Sequence, residues 1–256
     1  MAEGILQYGE LAKYYDLIYS WKDYDRESWI IADLIRRYKE SPGNTLLDVG
    51  CGTGKHIQHL VERFDCVGLD ASVEMLEQAK RNARAAEFAR GDMVDFDLGR
   101  KFDVVLCLFS SIGHVRTYPR LARTIRNFAK HLKEGGVMII EPWFTRSTVK
   151  DGYVHVLVQG DDNLKVVRVD ITRIRRNLSI LDERIVVANG AEGMTTYKDR
   201  MVMGLFEQER FLRLMREAGL KAKLLKRSLA PGEGSTSGSN STPESREGRS
   251  GGLKLN

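Results

Sequence analysis

Hydrophobic positions along this chain follow two different periods, and the change between them divides the sequence. From residue 44 to residue 144, short apolar runs alternate with stretches such as residues 55–63, 73–82 and 121–132 that carry apolar residues at helical spacing. Regular alternation of strands and helices predicts an α/β fold, with a doubly wound, mostly parallel sheet covered by helices on both faces. Residues 28–39 predict one more helix before this region.

The period changes to two after residue 144. Alternating stretches at residues 154–158, 167–171, 178–187 and 195–203 predict an antiparallel β insertion over residues 145–205. Residues 206–230 return to the core fold, with an amphipathic helix at 207–218. Residues 231–256 are mostly Gly, Ser, Thr and Glu, so we expect a disordered tail. The stretch 252–255 is too short to predict a final strand. Residues 1–43 form an aromatic N-terminal segment followed by the first helix.

Composition favours an enzyme-sized globular protein outside the membrane. The 256 residues are 42% hydrophobic, enough for a full core, and no apolar run approaches the length of a membrane span. The first residues lack the pattern of a signal peptide, and Cys51, Cys66 and Cys107 have no metal-ligand spacing. We therefore expect reduced thiols, no metal and a cytoplasmic location. The net charge of +5 is spread along the chain apart from residues 173–176, which we interpret as solvated charge.

A glycine-rich turn follows the first strand of the alternating region. Residues 48–54 read Asp-x-Gly-x-Gly-x-Gly, which places Gly50, Gly52 and Gly54 at alternate positions. Glycine permits positive φ and lets a ligand approach the backbone closely. The spacing differs from the G-x-G-x-x-G pattern of dinucleotide sites.

Acidic residues end three successive predicted strands of this region: Asp48, Asp70 and Asp92. Each has a structural alternative, because Asp48 could cap the turn, Asp70 could cap the next helix and Asp92 could lie in an ordinary turn. Open α/β sheets bind ligands at the carboxyl ends of their strands. One ligand that contacts all three carboxylates therefore explains the pattern better than three separate structural roles.

The order and spacing of these motifs resemble the class I S-adenosylmethionine-dependent methyltransferases. The resemblance implies a Rossmann-like methyltransferase fold with S-adenosyl-L-methionine as the cofactor. It also implies that Asp70 holds the ribose hydroxyls and that Asp92 lies near the adenine amino group. The cofactor-binding residues implied in this way are Tyr24, Asp48, Gly50, Gly52, Gly54, Asp70, Ala71, Met75, Asp92, Met93 and Leu108.

Five further stretches narrow the resemblance to the N,N-dimethyltransferases of nucleotide-linked amino sugars. They are residues 15–17, 22–24, 91–93, 109–114 and 141–143. The Phe-Ser-Ser-Ile-Gly-His run at 109–114 is the most specific, because this loop borders the methyl group in the family. Enzymes that methylate base nitrogens carry a Pro-Pro-aromatic motif at this place, and no proline is present here. We therefore expect a small-molecule acceptor rather than nucleic acid.

The resemblance implies an amine acceptor, which requires a group that accepts its proton or orients it. The candidate catalytic residues are His114, Tyr15 and Glu141; His114 ranks first because imidazole titrates near neutrality. His114 could instead bond only the loop backbone, and Glu141 could simply end a strand. Tyr15 and Tyr24 could pack the N-terminal helix, and Trp143 could shield the sheet edge. The substrate-binding candidates are Tyr15, Ser110, Ser111 and Trp143. The other histidines, His56, His59, His131 and His155, are interpreted as surface or helix residues.

The leading hypothesis is N-methylation of an amine such as an amino sugar. A small-molecule O-methyltransferase and a non-catalytic S-adenosylmethionine-binding module are alternatives, and a nicotinamide oxidoreductase is a remote one. The sequence leaves open whether the antiparallel insertion forms a homodimer interface.

Overall fold

The computed structural model describes residues 6–225 and 253–255, which form two sheets and the helices that cover the larger one. The strands of the large sheet are β1 (Thr45–Val49), β2 (Asp65–Asp70), β3 (Glu87–Arg90), β4 (Phe102–Cys107), β5 (Leu132–Ile140), β10 (Ala222–Leu224) and β11 (Leu253–Leu255). The strands of the small sheet are β6 (Val154–Gly160), β7 (Leu164–Arg175), β8 (Leu178–Asn189) and β9 (Gly193–Gly204).

The large sheet has the order β10-β11-β5-β4-β1-β2-β3. Strands β1 to β5 pair in parallel, with β1 between β2 and β4. The order in which successive strands are added to the sheet reverses at β1, because β2 and β3 lie on one side of it and β4 and β5 on the other. A crevice therefore opens beyond the carboxyl ends of β1 and β4. The predicted doubly wound, mostly parallel sheet is confirmed.

Six helices accompany the strands of the described chain. They are α1 (Ala12–Ile18), α2 (Tyr24–Tyr38), α3 (Lys55–Leu60), α4 (Val73–Asn82), α5 (Tyr118–Lys130) and α6 (Gln208–Glu217). Helix α4 has the predicted bounds. Helix α2 begins four residues earlier than predicted because the Asp23 carboxylate accepts a hydrogen bond from the Arg26 N–H and caps its first turn. Helix α1 was not predicted, since its aromatic residues show no clear apolar stripe.

The large sheet is buried on both faces, as expected for parallel strands. Leu47 and Val105 point to one face, where Phe128 of α5 covers them. Leu46 and its neighbours point to the other face and pack against Ile31 of α2. These two apolar layers fix the strand ends, and therefore the loops that follow them, in one rigid arrangement.

The small sheet is the predicted antiparallel insertion, with the order β6-β7-β8-β9, and polar residues lie on its buried face. The polar residues Arg168, Asp170 and Thr172 of β7 are buried, whereas the valines 154, 156 and 158 of β6 are 55–57% exposed. At one end the inner face is apolar, where Val166 and Ile185 pack against residues of α1. The polar part of this face borders the cavity described below.

The prediction of a disordered tail lies outside the described residues over positions 231–252. Residues 253–255, however, form β11, which pairs antiparallel with both β5 and β10. The interpretation that this stretch is too short to supply a final strand is therefore wrong. A strand inserted between two others gains ladder hydrogen bonds along both edges, so three residues suffice. In the described part of the chain, no helix is both long and apolar enough to cross a membrane.

Candidate active site

A cavity of about 880 Å³ opens at the carboxyl ends of β1, β2 and β4, between the large sheet, the N-terminal segment and the small sheet. Its size is that of a small-molecule site. It brings together most of the site residues predicted from sequence: Tyr15, Gly50, Gly52, Asp70, Ala71, Met75, Asp92, Met93, Ser111, His114 and Trp143. The remaining predicted residues, Tyr24, Asp48, Gly54, Leu108, Ser110 and Glu141, lie outside this lining.

The three glycines of the turn have different functions. All have positive φ, which disfavours any other residue. A Cβ on Gly50 would lie 2.8 Å from the Ser111 Cβ, so this glycine allows the loop after β4 to approach the turn. Gly52 faces open space in the cavity. Gly54 packs against Ala79 of α4, where an added Cβ would lie 3.1 Å from the Ala79 Cβ, and the cofactor contact of Gly54 stays a prediction.

Asp70 ends β2 inside the cavity lining and holds the glycine turn in place. Its Oδ2 accepts a hydrogen bond from the Gly52 N–H at 2.9 Å, and its Oδ1 accepts one from the Ser72 N–H at 2.9 Å. The side chain of Ser72, not that of Asp70, caps α4. Burial raises the pKa of Asp70, although these hydrogen bonds oppose the shift. Each carboxylate oxygen retains a lone pair that a ligand hydroxyl can use.

Asp48 lies beneath the glycine turn and is 2% exposed. Its Oδ1 has no hydrogen-bond partner among the described residues, which does not support a turn-capping role. Burial, and next the charge of Asp70, raise the pKa of Asp48 to about 7. A buried carboxyl without a partner favours a cationic group nearby.

Asp92 has the turn role that the sequence left open, and its role as a ligand contact stays a prediction. It lines the cavity, yet its Oδ1 accepts a hydrogen bond from the Val94 N–H in an ordinary turn. Its Oδ2 lies 3.2 Å from a guanidinium nitrogen of Arg120, and both side chains are half exposed. The pair contributes little to stability in solvent and leaves Asp92 free to exchange partners.

The loop after β4 is strained and firmly held. Phe109 and Ser110 have φ of 47° and 63°, a region that non-glycine residues seldom adopt. The Glu141 carboxylate accepts a hydrogen bond from the Phe109 N–H at 2.7 Å, and the Ser110 hydroxyl donates to the Pro142 carbonyl. The Lys22 ammonium lies 4.0 Å from the centre of the Phe109 ring. Glu141 and Ser110 therefore hold the loop that carries Ser111 and His114.

A hydrogen bond from the N-terminal segment holds the ring of His114. The Tyr8 hydroxyl lies 3.0 Å from His114 Nε2 and 3.6 Å from the Met201 sulfur. Burial raises the pKa of Tyr8, which keeps its single proton. The tautomer of the ring decides which of the two groups donates in the Tyr8–His114 hydrogen bond. Burial, and next Arg116, lower the pKa of His114 to about 4, so the ring is neutral near pH 7.

The aromatic N-terminal segment covers the cavity only in part. Tyr8, Tyr15, Tyr19 and Trp21 line it. Tyr24 does not: its ring meets His56 edge-on at 5.0 Å, in agreement with the packing alternative. The structure also gives His155, in the small sheet, a position that the sequence interpretation did not specify.

Two of the remaining histidines have more specific positions than the sequence suggested. His56 is a helix residue, as expected, but it is buried against Glu27 at 2.8 Å. His155 is in a strand rather than a helix and lines the cavity, 3.3 Å from Asp170. Sequence reasoning missed it, together with Arg168 and Asp170. The signal was present as polar residues at every second position of residues 168–172.

Comparison with known proteins supports the assignment of this cavity as a methyltransferase active site. Residues 46–136 match a family model described as a methyltransferase domain. The chain is 37% identical, over 84% of its length and 91% of the relative's, to a dTDP-3-amino-3,4,6-trideoxy-alpha-D-glucopyranose N,N-dimethyltransferase from Streptomyces venezuelae. It is 36% identical to a dTDP-3-amino-3,6-dideoxy-alpha-D-glucopyranose N,N-dimethyltransferase from Streptomyces fradiae, over 85% of this chain and 86% of the relative.

Solved structures give the same result. The crystal structure of Streptomyces venezuelae DesVI has a TM-score of 0.83 at 34% identity, and the match covers 96% of this chain and 97% of that one. CalS10, an amino pentose methyltransferase from Micromonospora echinaspora with bound S-adenosylmethionine, has a TM-score of 0.79 at 27% identity, covering 94% and 95%. The chain therefore belongs to the class I S-adenosylmethionine-dependent methyltransferases, in the group that contains the N,N-dimethyltransferases of nucleotide-linked amino sugars.

Proposed function

We propose that this enzyme methylates the amino group of a nucleotide-linked amino sugar, adding one or two methyl groups. The observation that carries the proposal is the neutral His114, which is hydrogen-bonded to Tyr8 and lines a cavity shared with the glycine turn. The names of the relatives support the acceptor class.

The residues at the strand ends fit a cationic nucleoside cofactor. Gly52 leaves open space in front of its backbone, Asp70 offers two carboxylate oxygens, and Asp48 is a buried carboxyl without a partner for Oδ1. We propose that Asp70 holds the ribose and that Asp48 stabilises the positive charge of the methionine part. Tyr15, Ala71, Met75, Asp92 and Met93 would complete the site. When bound, the cofactor supplies a methyl group on a positively charged sulfur.

The chain's own contribution to the reaction is orientation. We propose the tautomer in which His114 Nε2–H donates to Tyr8 and Nδ1 accepts a hydrogen bond from the acceptor N–H, which points the nitrogen lone pair away from the ring and toward the methyl. A histidine with a pKa of about 4 holds a proton only briefly, so the proton released after methyl transfer passes on to solvent. Tyr8 fixes the ring, and the loop anchored by Glu141 fixes its position.

An acceptor assay tests the proposal. The enzyme is incubated with S-adenosylmethionine and either a dTDP-linked 3-amino sugar or the matching 3-hydroxy sugar, and products are identified by mass spectrometry. Methylation of the amino sugar alone is expected. Methylation of the hydroxy sugar alone would establish the O-methyltransferase alternative, and tight cofactor binding without product from a broad acceptor panel would favour a non-catalytic module. We expect no methylation of RNA or DNA in the same assay.

The exposed valines of β6 support the proposal of a homodimer. Val154, Val156 and Val158 are more than half exposed and lie side by side on an edge strand, where an unpaired backbone invites pairing. A second copy would cover this surface. Light scattering should show a dimer, and Val156→Lys should give a monomer with unchanged cofactor affinity. A cytoplasmic location remains our expectation, supported by three free cysteines.

A further inference from the structure

A row of ionisable side chains crosses the inner face of the small sheet. The strand register places His155 opposite Asp170, Asp170 opposite Glu183, and Glu183 opposite Asp199. Residues directly opposite one another in antiparallel strands point to the same face. The three acids are between 0% and 8% exposed. Like charges placed opposite one another destabilise a sheet, so this row needs compensating interactions.

Compensation for the row is incomplete. Asp199 is satisfied, because its two carboxylate oxygens accept the N–H groups of Leu6 and Gln7 at 3.2 and 3.0 Å. Arg168, on the same face as Asp170, donates to the Tyr19 hydroxyl at 2.9 Å, and its Nε lies 3.3 Å from Asp170 Oδ1. That Nε contact lacks hydrogen-bond geometry, so the donor is buried without a partner in the described chain.

Glu183 has further hydrogen-bonding capacity that the described residues do not use. It is fully buried, and neither carboxylate oxygen has a hydrogen-bond partner within residues 6–225. Buried polar groups without partners are uncommon and usually indicate a missing ligand or water. Glu183 lies outside the cavity lining, whereas Arg168, Asp170 and His155 are part of it. A ligand in the cavity can therefore reach the row only through these three side chains.

Arg168, Asp170 and His155 form one side of the cavity, which we call the wall. The wall also lies close to His114, the candidate reacting centre. Tyr8 contacts both His114 and Met201, and Met201 is two residues from Asp199 on the same face of β9. Tyr8 therefore connects the ring of His114 to the inner face of the small sheet.

We propose that Arg168 and Asp170 bind the hydroxyl group of a 3-amino acceptor sugar at C4, the carbon next to the amine on the side away from the nucleotide-linked C1. The inference rests on the proposed function and adds the sugar class: an amino sugar that retains this hydroxyl. A hydroxyl both donates and accepts, so it pairs with the carboxylate and the guanidinium together, whereas a methylene group leaves both buried charges without a ligand partner. Glu183, which lies opposite Asp170 on the same face, is a positioning residue for Arg168.

Two acceptors form a matched pair for the test. dTDP-3-amino-3,6-dideoxyglucose and dTDP-3-amino-3,4,6-trideoxyglucose differ only in the 4-hydroxyl next to the amine. Calorimetry on enzyme saturated with S-adenosylhomocysteine measures the affinity for each without turnover. The dideoxy sugar should bind about 10- to 100-fold more tightly, the range for hydrogen bonds to charged groups. Equal affinities, or tighter binding of the trideoxy sugar, would overturn the inference.

Variants separate the wall from general damage to the sheet. Asp170→Asn should abolish the preference between the two sugars. Asp182→Asn, which removes an exposed ion pair with Arg200 on the outer face of β8, should keep the preference. If Asp170→Asn does not fold, Glu183→Gln replaces it and should reduce the preference. A full preference in the folded Asp170 or Glu183 variant contradicts the assignment.

Turnover is then measured separately on the same two sugars. Tighter binding of the dideoxy sugar without any methylation would refute the proposed function and leave the hydroxyl-binding wall supported. Equal methylation and equal binding of both sugars would refute the wall alone.

Discussion

Asp48 should stabilise cofactor binding at the expense of the stability of the free protein. Its folded-state pKa of about 7 stands well above the value of 3.8 for an unperturbed aspartate. Well below pH 4 the Asp48 carboxyl is protonated in both the folded and the unfolded state, so it has no effect on the free energy of unfolding. As the pH rises from about 4 to 7, the unfolded state ionises first, and the folded state becomes less stable. The full penalty, about 4 kcal/mol by the shift, is present above pH 7.

The substitution Asp48→Asn removes this pH-dependent penalty. Its amide leaves one buried group unsatisfied at every pH, which costs about 1–3 kcal/mol. Urea unfolding of the variant and the parent at pH 4.5 and at pH 8 measures this effect. The unfolding free energy of the variant, relative to that of the parent, should be higher at pH 8 than at pH 4.5. Asp65→Asn, an exposed aspartate on the neighbouring strand, should leave the pH dependence unchanged.

Cofactor affinity should change in the opposite direction. Loss of the carboxylate removes a charge-assisted contact worth about 1.5–3 kcal/mol, so S-adenosylmethionine should bind about 10- to 100-fold more weakly to Asp48→Asn in calorimetry at pH 8. A variant that matches the parent in both pH dependence and affinity would refute the reasoning, because Asp48 would then be ionised and otherwise satisfied in the free protein.

Variants at three other positions test the site. Gly52→Val should abolish calorimetric cofactor binding, because it fills the space in front of the turn and strains a φ of 54°, whereas Gly99→Val, with a similar φ and open surroundings but far from the cavity, should bind normally. Glu141→Gln should keep most of the turnover since an amide oxygen can still accept the Phe109 N–H, while Glu141→Leu should lose about 100-fold through displacement of the loop; equal losses would restore Glu141 as a base. Tyr8→Phe should lower kcat and leave cofactor affinity unchanged, and an unaltered kcat would remove Tyr8 from the orientation of His114.

The cofactor side of the molecule could be predicted from sequence because its signals are local. The bounds of α4 follow from an apolar stripe and a serine cap, and the glycine turn identifies its own backbone conformation. The strand ends that carry Asp70 and Asp92 meet at one sheet edge by the rules of parallel sheets. None of these inferences requires knowledge of which distant residues touch.

The acceptor side could not be predicted in the same way. Alternation in β7 shows that two faces differ, but it does not state which face is buried, and the usual assumption selects Val167 and Val169 as the core face. The structure buries Arg168 and Asp170 instead, because that face borders a cavity and the N-terminal segment. The roles of Glu141 and Tyr8 likewise depend on contacts between residues 30 or more positions apart.

Two of the walls of the active site come from separate, continuous stretches of chain. The glycine turn and its acids lie within residues 46–93, and the acceptor wall lies within the hairpins of β6 to β9, residues 154–204. A chimera that exchanges only the hairpins with a relative would transplant one wall while the nucleoside pocket stays intact. The choice of acceptor in such hybrids can thus be varied independently of the methyl donor. The interface that has to be redesigned is the contact between α1 and the inner face of the small sheet.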